Sequence, residues 1–185
     1  MGGRSSLEYG ARFMIKLIVF DLDNTLAEPG KEIAASDVEK LRGYKDDICE
    51  LTSYNYATSG NISYGNPWQM IWVFDGDENT EVVCEGYSKA FQYLCDLSDL
   101  DCISVTGNMN GGGHMWNIVT IGGKNYLVDL TNCDSLKTDA LFMAGTTGSV
   151  ADGYTFAVGG GTVAYRYKDN IWGADVLTLE ANNYL

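Results

Sequence analysis

The 185-residue chain contains one histidine, His114, and five cysteines, Cys49, Cys84, Cys95, Cys102 and Cys133. A thiol attacks as its thiolate, and it does so best with an imidazole in hydrogen-bond reach and a carboxylate behind the ring to hold its tautomer. His114 is therefore the sole candidate base for any thiol chemistry in this chain. Cys84 stands near the start of VVCEGYSKAFQYLCDL, where a helix N-terminus would place positive potential beside the sulfur. Asp129 follows on the strand-like run after the one that carries His114. The same inventory argues against zinc: there is no CxxC pair, one histidine cannot supply the usual ligand spacings, and no cofactor is expected.

These three residues act together only if the elements bearing them converge. In VVCEGYSKAFQYLCDL, Cys84, Tyr87, Phe91, Leu94 and Cys95 recur at steps of three and four, which predicts an amphipathic helix with one face on a core. Residues 36–51 place Val38, Leu41, Ile48 and Leu51 at similar spacing behind Ser36 as a cap, with Gly43 weakening that helix. Thr52 to Gly65 has loop composition, Asn66-Pro67 signals a turn before the apolar stretch Trp68 to Phe74, and Asp75 to Glu81 reads as an acidic turn. ISVTG reads as a strand, Asn108 to Gly113 as a flexible glycine-rich loop in which Gly111 to Gly113 form either a mobile rim or an ordinary connection, and residues 114–121 and 125–131 as two strands joined through Gly122-Gly123. YTFAVGG, TVAYRY and VLTLEANNYL are further expected strands. A helix followed by hairpin-linked strands implies an α+β fold with an antiparallel sheet.

The hairpin supplies a test by parity. With a two-residue turn at Gly122-Gly123, residue 121 faces 124, 114 faces 131 and 116 faces 129, so His114 and Asp129 are diagonal neighbours on one sheet face. Such positions lie roughly 7–8 Å apart at Cα, within reach of side chains that lean together. One more residue in the turn would send Asp129 to the other face.

The blocks VCEGYSKAFQYLC and GGGHMWNIVTIGGKNYLVDLT resemble the transglutaminase-like, papain-like domains of bacterial proteins, in which a cysteine on a helix precedes a histidine and an aspartate on successive strands. The likeness spans about residues 45–185 and is strongest over 82–134. It implies Cys84 as nucleophile, His114 as base and Asp129 as orienting acid, acting through a thioester on a peptide or protein substrate. One departure is Asn132-Cys133-Asp134, where such domains often carry a tryptophan-aspartate pair. The oxyanion formed in acyl transfer needs donors. The Cys84 backbone N–H is the first candidate, with Trp68, Gln69 or Trp72 as the second. A non-catalytic binding or cell-surface module on the same fold is the alternative, in which Cys84 is a small core residue. Cys49, Cys95, Cys102 and Cys133 are read as structural.

A rival motif lies ahead. KLIVFDLDNTLAE ends a strand in Asp21-Leu22-Asp23 and resembles the first motif of haloacid-dehalogenase-like phosphatases, which implies a magnesium-dependent attack by Asp21 with Asp23 as acid/base. The nearest acidic cluster, Asp75-Gly76-Asp77, follows too soon to leave room for the remaining βαβ units at ~30 residues each. That cluster also fails as a calcium loop, having Thr80 and Gly86 where glycine and glutamate are needed. The expected organisation is a leader or tag over 1–14, a motif fragment over 15–35 and the transglutaminase-like domain over 36–185. Tyr54, Tyr56, Tyr64, Trp68 and Trp72 either line a groove for an extended peptide or simply pack a loop.

Composition bounds the partners. Twenty-five acidic against 12 basic residues leave a formal charge of −13, which repels phosphate backbones and anionic lipid, so nucleic acid is excluded as a partner. The apolar run Phe13 to Phe20 is interrupted by Lys16 and is too short to span a membrane, and no export signal is read.

Overall fold

The computed structural model describes residues 35–57, 66–77, 79–167 and 178–184. The leader, the Asp21-Asp23 motif and Tyr64 lie outside the described residues.

Helix α1 (Ala35–Leu51) buries Val38, Leu41 and Ile48 as its spacing predicts, buries Tyr44 as well, leaves Leu51 half-buried, and runs unbroken through Gly43. A Cβ at Gly43 would meet nothing within 4 Å. Gly43→Ala is therefore expected to stabilise the fold by about 1 kcal/mol, because the helix loses only the entropic penalty of glycine. Thermal unfolding should record a Tm rise of roughly 2–4 °C.

After strand β1 (Ser53–Tyr54), the stretch Trp68 to Phe74 forms helix α2 (Trp68–Val73), with Pro67 at its cap and the Trp68 N–H on Asn66 Oδ1. The expected acidic turn is stitched by its own side chains. Asp75 accepts from the Asp77 N–H and the Thr80 hydroxyl, and Asp77 accepts from the Asn79 N–H. Strand β2 (Glu81–Val82) pairs in parallel with β1 and leads into helix α3 (Cys84–Asp96). The predicted face of α3, Cys84, Tyr87, Phe91, Leu94 and Cys95, is buried. Its first turn is enclosed all round, since Glu85, Gly86 and Ser88 are buried as well.

The rest is a six-stranded antiparallel sheet, confirming the α+β class. In order along the chain its strands are β3 (Cys102–Met109), β4 (Gly112–Ile121), β5 (Lys124–Val128), β6 (Gly148–Val150), β7 (Gly153–Val158) and β8 (Gly161–Tyr167). Their spatial order is β5-β4-β3-β8-β7-β6. Strand β4 is buried from His114 to Val119 on both faces, and α3 packs against β3 and β4. Trp116, Tyr165, Phe91 and Leu127 are among the fully buried side chains of the core. No helix among the described residues is long and apolar enough to cross a membrane.

Three expectations about local structure are corrected. Asn108 to Gly113 is not a loop: β3 and β4 run on to a tight turn at Asn110-Gly111, with φ of 49° and 90°. Asn-Gly tolerates the left-handed backbone that a two-residue hairpin requires. The tip is further tied to β8 by reciprocal bonds between Asn110 and Ala164. Second, the strand expected over 125–131 stops at Val128, because Asp129 caps helix α4 (Leu130–Leu136) by accepting the Asn132 N–H on its side chain. Third, residues 178–184 form no strand. Their backbone bonds go to Asn125, Met143 and Thr146, which lie on separate segments, so no ladder develops.

Candidate active site

The Gly122-Gly123 turn, both residues at positive φ, sets the β4–β5 register at Ile121↔Lys124 and Asn117↔Val128, the two-residue parity. His114 and Asp129 consequently share a face. The ring Nε2 of His114 lies 2.8 Å from Asp129 Oδ2, and both side chains are buried. The Cys84 thiol is near enough to the ring to be among the groups that raise its pKa.

Cys84 owes its place to the first turn of α3. Its helix has no side-chain cap; instead the N–H of Val83, the cap residue, donates to Gln69 Oε1 at 2.9 Å. Gly86 admits this close packing, because a Cβ there would stand 2.6 Å from the Val82 Cβ and 2.9 Å from the Gln69 carbonyl oxygen. Gln69 is fully buried, and its Nε2, the other end of the same amide, has no hydrogen-bond partner. A buried, unpaired amide N–H costs free energy unless something meets it.

The acid is held by more than the histidine. Asp129 Oδ2 also accepts from the Asn132 side-chain amide and the Tyr165 hydroxyl, each at 2.6 Å, and Oδ1 accepts the Asn132 N–H at 3.1 Å. Burial alone would raise the Asp129 pKa, but the His114 charge and these hydrogen bonds hold it below the usual carboxylate range. Burial likewise disfavours the imidazolium, yet the Asp129 carboxylate and the Cys84 thiol outweigh it and push the His114 pKa up to about 10. A box of rings surrounds the pair: Trp116 stacks near His114 with centroids 6.1 Å apart, and its Nε1 donates to the Tyr154 hydroxyl at 2.7 Å.

Of the residues predicted from sequence, His114 and Asp129 are in direct contact, Cys84 is among the groups that raise the His114 pKa, and Gln69 lies against the turn that carries Cys84. Trp68 is more than half exposed, with its backbone N–H committed to Asn66, and Trp72 is half-buried against the core. Sequence reasoning missed Tyr165 and Asn132. Tyr165 arrives from β8, which β3 separates from β4 in the sheet, and carries no local signal. Asn132, three residues after Asp129, is legible in retrospect as a partner in an N-cap. All five cysteines are free thiols; Cys95, Cys102 and Cys133 are buried, and Cys49 is half-buried with its pKa pushed up to about 12, chiefly by burial. Among the described residues no three or more His, Cys, Asp or Glu side chains are grouped to hold a metal ion.

Comparison with known proteins adds to this geometry. The chain is 27% identical to the human kyphoscoliosis peptidase over 53% of its own length and 16% of that protein's, and 26% identical to the mouse kyphoscoliosis peptidase over 58% and 18%. It thus spans less than a fifth of these relatives. A solved structure described as that of a TGase superposes with a TM-score of 0.44 at 16% identity, covering 80% of this chain and 36% of that one. No family model matches the chain.

Proposed function

We propose that this chain is a transglutaminase-like cysteine enzyme that performs acyl transfer or hydrolysis on amides of a peptide or protein substrate. The observation that carries this reading is the buried His114, with Nε2 on Asp129 and the Cys84 thiol among the groups that raise its pKa. That the curated relatives are named peptidases supports amide chemistry.

The chemistry follows from the contacts. The raised pKa of His114 keeps a proton on the ring at neutral pH, and a thiol attacks as its thiolate. The Cys84 sulfur forms a bond to the amide carbon, the carbonyl oxygen takes the negative charge, and the Cys84 backbone N–H and Gln69 Nε2 receive it. As the C–N bond breaks, the imidazolium gives its proton to the departing nitrogen, leaving a thioester. Water or a second amine then attacks that thioester, surrendering a proton to His114 and restoring the thiol pair. Asp129 holds the ring in the tautomer and orientation both steps require.

Iodoacetamide tests the reading directly. Near neutral pH it is expected to alkylate Cys84 at least roughly tenfold faster than the other four thiols, for which no imidazole is available as an activating neighbour. One equivalent should abolish release of ammonia or new amino termini from a casein substrate. Equal labelling of all five thiols, or full activity after Cys84 is alkylated, overturns it.

A further inference from the structure

Asp129 is the most heavily bonded group in the site, and more so than orienting a ring demands. Three donors converge on the single oxygen that faces His114, two of them from Tyr165 and Asn132. Tyr165 is fully buried, with its ring packed 5.1 Å from Trp116 and 5.7 Å from Phe156, so its hydroxyl has little freedom to turn away. Burial, and then the Asp129 charge, push its pKa up, which keeps the hydroxyl a donor. The other titratable groups around the pair are Cys84 from α3, Cys133 from α4 and Tyr154 from β7. Burial pushes the pKa of both Cys133 and Tyr154 up, and both stay neutral.

We propose that Tyr165 and Asn132 are positioning residues that act through Asp129: by sharing its carboxylate charge they loosen its hold on the His114 proton, so that the imidazolium can protonate a departing amine. This rests on the function proposed above. Hydrogen bonds to a carboxylate stabilise its charge and lessen its pull on a neighbouring cation. Without them Asp129 would face the ring with undiluted charge, and the imidazolium would become a weaker acid. The consequence is selective. In amide cleavage the carbon–sulfur bond forms, the carbon–nitrogen bond breaks and the nitrogen leaves with the His114 proton. p-Nitrophenolate leaves an ester as an anion and needs no such proton.

Because His114 is the chain's only histidine, its ring Cε1–H resonance can be titrated by NMR without ambiguity. In the full chain carrying Cys84→Ala, Tyr165→Phe is expected to move the His114 midpoint upward by roughly half a pH unit or more. Asn132→Ala should move it the same way, and both shifts should vanish when Asp129→Asn is added. With Cys84 present, Tyr165→Phe should slow ammonia release roughly tenfold while leaving acylation by p-nitrophenyl acetate unchanged. A midpoint that stays or falls in the folded variant overturns the proposal, as does an equal loss on both substrates; if Tyr165→Phe does not fold, Asn132→Ala decides alone. The NMR midpoint requires no turnover, so a wild-type chain that never releases ammonia refutes the enzyme reading separately from the Tyr165 assignment.

Discussion

Asp129→Asn is expected to lower kcat/KM for amide substrates by about 10²–10⁴ and to shift the alkaline limb of the pH profile downward by more than a unit. The His114 pKa stands at about 10 because the Asp129 charge and the Cys84 thiol overcome burial. Removing that charge leaves burial less opposed, and burial favours the neutral ring. The imidazolium needed to expel the amine is then lost at lower pH. The bonding around Asp129 adds a second cost. Its Oδ2 receives donors from His114, Asn132 and Tyr165, while Oδ1 receives the Asn132 N–H. An amide in place of the carboxylate turns its NH₂ toward a donor whichever way it flips, and the helix α4 cap is weakened in the better orientation. Stability should follow the sign of each shift. The raised His114 pKa contributes stability that is complete below about pH 6.5 and is lost as pH climbs through about 10. The depressed Asp129 pKa contributes above the ordinary carboxylate range and is lost as pH falls through its folded value. Chemical denaturation of wild type across pH should show both losses, and Asp129→Asn should flatten both. An alkaline limb unmoved by the substitution would remove Asp129 from the chemistry.

Much of this arrangement was legible because it is written in periodicities. Steps of three and four from Cys84 to Cys95 forecast the buried face of α3, and two glycines at 122–123 forecast the register that puts His114 and Asp129 on one face. What sequence concealed was of two kinds. Some residues obeyed a competing local rule: Asp129 ended the strand read across it because a carboxylate satisfies the free N–H groups of a helix start, and Asn110-Gly111 made a turn where three consecutive glycines suggested a loop. Others depend on contacts between distant segments. Tyr165 reaches Asp129 only because β8 pairs with β3, whose partner residues at Gly107↔Tyr167 are 60 positions apart in the chain, and no local pattern announces that pairing. The six-residue helix α2 is too short for periodicity to reveal, yet it carries Gln69.

Gln69 bears the second large effect. Gln69→Ala should reduce kcat by about 10²–10³ with little change in KM, the loss expected when one donor to a developing oxyanion is removed. The Val83 N–H bond to Oε1 anchors the amide against the turn that presents Cys84, and Nε2 is left buried without a partner. An unpaired donor in that position is a cost to the folded state that a transition-state oxygen would relieve, so its contribution appears in the rate and not in ground-state binding. Gln69→Glu sharpens the test. A carboxylate retains an acceptor for the Val83 N–H and nearly the same shape, but it replaces the donor with negative charge facing the oxyanion. The glutamate variant should therefore be at least as impaired as the alanine variant, with thermal unfolding checking that each remains folded. Iodoacetamide alkylation of Cys84, which passes through no oxyanion, should proceed at close to the wild-type rate in both. A Gln69→Glu enzyme with near-normal kcat would show that the buried amide serves only to pin α2 on α3.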